Sequence, residues 1–108
     1  MSNSVFLHGA LDLLILRVLR NESLHGWAIS QRIQSVSRKV LEVNQGSLYP
    51  ALHRLERKGW ITAEWGRSEN NRSAKFYQLT AGGRRRLVEQ TTGWREFAGA
   101  MHRVLQHA

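Results

Sequence analysis

The sequence predicts a mostly α fold that carries one small β-hairpin and ends in a long helix, and three observations predict it. Leu11, Leu14, Ile15 and Val18, then Ile29, Ile33 and Val36, then Leu48, Leu52 and Leu55 recur at helical spacing in three successive stretches. After Gly59 the pattern changes to two short runs rich in β-formers, one from Trp60 to Trp65 and one from Ala74 to Leu79, with turn chemistry between them. Beyond Thr80, the residues Leu87, Thr91, Trp94, Ala98, Met101 and Leu105 stand four, three, four, three and four apart, a heptad seam with one polar member, Thr91.

Composition bounds what such a chain does. Its 108 residues suffice for one domain with a modest core. With no cysteine there is no disulfide framework, thiolate nucleophile or zinc finger. No apolar run is long enough to span a membrane, and the start Met1-Ser2-Asn3-Ser4 lacks the basic and apolar regions of a secretory signal, so a cytoplasmic setting and no membrane partner are expected. The net charge is +8 and the sequence pI about 11.3. The cations concentrate between Arg38 and Arg86, where only Glu42, Glu56, Glu64 and Glu69 oppose them, and a polyanionic partner follows.

The first helix is expected over residues 9–20, with Asp12 in its first turn and Arg17 and Arg20 in its last, complementing the helix dipole. Leu13 and Leu16 point away from its main stripe, so it is either a central core helix or one that meets a second subunit. A break at Asn21-Glu22-Ser23 precedes the second helix, residues 24–37, with Ser23 as its cap. His25 has no helical neighbour able to share a metal and reads as a hydrogen-bonded structural histidine, and Trp27 reads as core. The connector 38–43 should tuck its apolar members under the helix pair.

Residues 44–58 form the third helix, capped by Asn44 or Ser47 and stopped by Gly59. A cap at Ser47 would put Pro50 at the third helical position, where its missing N–H has no partner to lose. Opposite the leucine stripe lie Pro50, His53 and Arg57, flanked by Ser47, Tyr49 and Arg54. That polar, basic face suits a major-groove reader, or it is the wet side of an ordinary amphipathic helix. Two helices, a short connector and such a third helix make a helix-turn-helix.

Residues 66–73 then read as the cationic tip of a hairpin, a wing able to lie along a DNA backbone or enter the minor groove. The fold class is therefore a winged helix-turn-helix over residues 1–80, a DNA-binding domain, followed by a C-terminal dimerisation helix over 81–108. Thr80 caps that helix, which should run over residues 81–105. Gly82 and Gly83 suggest close backbone approach or a frayed first turn, and at least one of Arg84, Arg85 and Arg86, near the positive end of the helix dipole, should face a phosphate. The heptad seam, widened by Val88, Phe97 and Val104, is too broad to be buried by one small domain, so a homodimer follows. Its interface is expected at Leu13, Leu16, Leu87, Trp94, Phe97, Ala98, Met101 and Leu105.

The DNA contacts are assigned accordingly. Arg54 and Arg57 are placed to take guanine, and Gln45 to read adenine or cap locally. Ser47, Tyr49 and His53 should touch the backbone, with Arg67, Arg72 and Lys75 neutralising phosphates and Asn70 and Asn71 near the wing tip. One rival is a winged-helix module that binds RNA or protein without ligand response. The other is an enzyme, but His8, His25, His53, His102 and His107 show no metal spacing and no nucleophile or phosphate-loop motif occurs, so no catalytic residue, metal or cofactor is expected.

Three runs resemble a known family: Leu24-His25-Gly26-Trp27, the stretch from Gly46 to Ile61 with Leu48-Tyr49-Pro50 inside it, and the stretch from Lys75 to Arg84 with Leu79-Thr80 before the paired glycines. They look like the PadR family of bacterial transcriptional regulators, in its short subclass with a single dimerising helix after the wing. Trp27 stands where the family commonly has tyrosine, and Gly82 is an added glycine. The resemblance implies a homodimeric repressor on operator DNA, often released by aromatic compounds. It also implies that Trp94, at the position of a tryptophan that stacks on planar ligands between subunits in some short members, binds such a ligand; the alternative is that Trp94 only fills the interface.

Overall fold

A computed structural model describes the backbone of residues 4–108 and side chains from residue 10 onward, so the His8 side chain and its reading as a non-ligand lie outside the described residues. The elements follow in the order α1 (Ser4–Val18), β1 (Leu24–His25), α2 (Gly26–Val36), α3 (Gln45–Arg57), β2 (Ile61–Arg67), β3 (Ser73–Leu79) and α4 (Ala81–His107). The helices, the wing and the long final helix stand where the sequence puts them, and the fold is a winged helix with a small three-stranded sheet.

α1 is the central helix, packing on α2, α3 and α4. Its Leu11, Ile15 and Leu16, with Leu19 just beyond, meet Ile29 and Ile33 of α2 and Leu48, Ala51, Leu52 and Leu55 of α3 in one buried cluster. Because α1 begins at Ser4, Asp12 lies in its interior and not in a first turn. Leu16 is fully buried within its own chain and Leu87 of α4 nearly so, because three helices converge on α1, which withdraws both from the expected subunit interface. Leu13 is half-buried against the same core.

Two residues, Leu24 and His25, form a strand instead of opening a helix. They pair antiparallel with Tyr77 and Phe76, on the free edge that β3 offers, giving the sheet order β1-β3-β2. His25 rather than Ser23 then caps α2, its Nδ1 accepting from the Ala28 N–H at 3.3 Å. Val36, expected to be buried, is 73% exposed. Leu41 and Val43 of the connector pack against the core instead, beyond a turn in which Arg38 and Lys39 both take positive φ. Trp27, expected in the core, is 56% exposed.

Asn44 caps α3, its Oδ1 accepting from the Ser47 N–H at 2.9 Å. Pro50 therefore sits in the second helical turn and not at the third position, and it deprives the Gly46 carbonyl of its helical donor. Gly59, at φ 75°, ends the helix. β2 and β3 pair from Ile61 opposite Leu79 to Arg67 opposite Ser73, so Gly66, Arg67 and Ser73 belong to the ladder and the loop is shorter than expected. Asn71, with φ 57°, closes the tip by donating its N–H to the Ser68 carbonyl at 2.9 Å.

Thr80 caps α4 by accepting from Gly83 N–H at 3.0 Å, while its hydroxyl donates to the Gly59 carbonyl at 2.7 Å. Gly83 is required for a packing reason: a Cβ there would lie 2.0 Å from the Trp60 carbonyl oxygen. Arg86 lays its guanidinium 4.8 Å from the centre of the Trp60 ring. Beyond Leu87 the helix leaves the body, and Trp94, Phe97, Met101, Val104 and Leu105 are all exposed.

Candidate nucleic-acid interface

α3 buries Leu48, Ala51, Leu52 and Leu55 and turns Gln45, Ser47, Tyr49, Pro50, His53 and Arg57 to solvent. The helix is thus held by its apolar stripe with its hydrogen-bonding face free. Arg54 does not belong to that free set. Its Nη2 lies 2.5 Å from Asp12 Oδ1 and its Nε 3.4 Å from Asp12 Oδ2, so the guanidinium is turned onto α1 and half-buried there. Arg54 braces the helix, and Arg57 is left as the exposed cation of its outer face.

The wing stands beside α3 with a cleft of about 590 Å3 between them. Tyr49 and His53 of α3 line it, as do Asn70, Arg72 and Lys75 of the wing; Gln45, Ser47, Arg57, Arg67 and Asn71 lie outside it. Lys75 is tied to Glu56 at 3.4 Å and stands 5.7 Å from the Tyr77 ring centre, which fastens β3 to α3 and leaves Lys75 only partly available to a phosphate. Arg67 donates to the Asn71 carbonyl at 3.1 Å and so shares in building the tip. Arg72 is exposed at the tip with Asn70.

Among the cleft residues that were not assigned from sequence are His25, Trp27 and Trp65. Trp65 is 71% exposed and Trp27 56%, so two indoles line the recess with their rings open to solvent. Strand alternation puts Trp65 on the same face of β2 as the buried Ile61 and the core-packed Ala63, so the sequence pattern points it inward, and it is exposed because the hairpin runs on past the core there. Gly26 makes room for the site, since a Cβ there would be 2.7 Å from Tyr49 Oη. Tyr77 closes the floor. Burial first, then the Glu56 carboxylate and the Tyr49 phenol, raise its pKa above the usual phenol range.

The described side chains contain no group of three or more His, Cys, Asp or Glu able to hold a metal ion. None of the described helices is long and apolar enough to cross a membrane. A helix with a free polar and basic face, braced from behind, next to a hairpin with an exposed arginine at its tip, is the arrangement found in winged-helix regulators. The family model for the PadR-like transcriptional regulators matches residues 15–89, and the chain belongs to that family. A transcriptional regulator of Mycobacterium tuberculosis is 34% identical over 93 residues, 86% of this chain and 83% of that protein. Among solved structures, a PadR-like transcriptional regulator from Bacillus cereus superposes with a TM-score of 0.82 at 26% identity, covering 97% of this chain and 100% of the other. A PadR family regulator from Clostridium difficile gives 0.76 at 28%, covering 90% and 99%. These relatives are regulators of transcription and not enzymes.

Proposed function

We propose that the protein is a homodimeric, sequence-specific DNA-binding repressor whose operator complex is released by a small aromatic ligand. The observation that carries the DNA reading is the exposed face of α3, with Tyr49, His53 and Arg57 free while Arg54 anchors the helix to α1. Arg57 takes guanine in the major groove, Gln45 contacts bases or backbone near the helix start, and Ser47, Tyr49 and His53 fix register on phosphates. Arg72, with Asn70 and the partly engaged Lys75, follows the adjacent backbone; Arg67 and Asn71 hold the tip that presents them.

The homodimer is supported by the outer half of α4, whose Trp94, Phe97, Met101 and Leu105 remain exposed along one seam with Ala98. Leu13 of α1 is the remaining α1 member of that interface. Two-fold symmetry would set the recognition helices roughly 34 Å apart, one turn of B-DNA. Selection from random duplexes should therefore enrich a pseudo-palindrome with half-sites one helical turn apart. A pool with no enriched sequence would replace this reading with a winged-helix module that binds RNA or protein.

The ligand reading rests on Trp94, which is 47% exposed and lies with its ring centre 5.8 Å from that of Phe97. Such a pair across a dimer axis offers flat apolar walls to a planar guest. Release requires the guest to favour a subunit spacing that does not fit the operator. Trp94→Ala should abolish ligand response while leaving operator affinity near wild type; loss of both together would make Trp94 interface packing only.

A further inference from the structure

A second cleft lies between the end of α1 and the first half of α4, and nothing in α3 or the wing contributes to it. Its volume is about 400 Å3. Arg17 and Arg20 enter it from the α1 side, Arg84 and Arg95 from α4, and Leu87 and Val88 supply apolar lining. No acidic side chain lines it. Three cations outside the cleft have acidic partners, Arg32 with Glu22, Arg54 with Asp12 and Lys75 with Glu56, while Arg57 and Arg72 stand exposed on α3 and the wing. Among the described residues, none of the four arginines of this cleft makes an ion pair or a side-chain hydrogen bond.

Arg17 and Arg20 gain from the negative end of the α1 dipole, which is reason enough for those two. Arg84 has the opposite situation, lying in the first turn of α4 where a cation is disfavoured. Four like charges around one recess raise one another's energy, and the term changes sign only when an anion enters. Guanidinium forks match phosphate oxygens two at a time, and a recess of this size with an apolar lining suits a compact guest better than the continuous backbone of a duplex.

We propose that this cleft binds a small phosphorylated effector carrying at least two phosphate charges, at a site separate from the DNA-reading face. Inorganic pyrophosphate is the probe, titrated calorimetrically into the full chain at constant ionic strength. The wild-type protein should bind one pyrophosphate per chain, and the double variant Arg84→Gln with Arg95→Gln should weaken binding about tenfold or more with an unchanged melting temperature. Arg72→Gln, which removes a wing charge, should leave it unaltered. Equal weakening in both variants would reduce the effect to net charge and overturn the site, as would no binding by the wild type. Dissociation of the double variant into monomers would also overturn it, by showing that the arginines serve carboxylates of a second copy.

Discussion

The two halves of α4 both carry an apolar stripe and have opposite surroundings. In the first three turns Gly83 and Leu87 are buried, pressed against the Trp60 carbonyl and the α1 core. In the last four turns Trp94, Phe97, Met101, Val104 and Leu105 are all exposed. One half is consumed by its own chain and the other is in surplus, although an isolated amphipathic helix gains little stability without a surface to cover its stripe. The difference teaches that the helix has two tasks: its start closes the winged helix, and under the homodimer we propose its end joins two of them.

The sharpest break in that comparison comes from Gly83→Ala. The added methyl has a carbonyl oxygen in its place, and the helix must move as a body, costing about 3 kcal/mol or more in chemical denaturation. An unchanged midpoint would mean that the start of α4 is not tightly seated. The outer half should respond in another currency. Phe97→Glu, at an exposed position, should leave the fold of each chain intact and raise the dimer dissociation constant about thirtyfold or more in sedimentation velocity. If it lowers monomer stability instead, that half of the helix packs on its own chain.

Smaller effects separate bracing from reading. Arg54→Ala removes a half-buried ion pair to Asp12 and should cost about 1 kcal/mol of stability, recovered in part by the double variant with Asp12→Ala. Its effect on DNA should be a general weakening; altered base preference at one operator position would return Arg54 to the bases. Smallest is the alkaline response of Tyr77. Its pKa is raised in the folded chain, so the stabilisation is present below the usual phenol value near 10 and is lost as pH rises through the higher folded value. Tyr77→Phe should flatten stability between about pH 10 and the folded-state pKa, and a wild-type curve already flat there would remove burial as a factor.

What the sequence showed and what it hid divide along contact range. Leu48, Leu52 and Leu55 declare α3, and the β-formers on either side of residues 66–73 declare the wing, because each signal lies in one short continuous stretch of chain. Asp12 and Arg54 are 42 residues apart, and no local pattern distinguishes an arginine aimed at DNA from one aimed at α1. The second stripe of α1 was legible as apolar, but whether Leu16 meets a second subunit or its own core depends on how many helices converge there. β1 is two residues long and has no period at all; it exists because β3 has an edge to pair. Trp27 and Trp65 invert the usual preference of tryptophan for burial, and their exposure in the cleft is information only the fold supplies.

Sedimentation equilibrium of the full chain at micromolar concentration bears most directly on the account, because paired readers require paired chains. Wild-type protein should fit as a dimer and the Phe97→Glu protein as a folded single chain. A wild-type species with the mass of one chain across that range would contradict it.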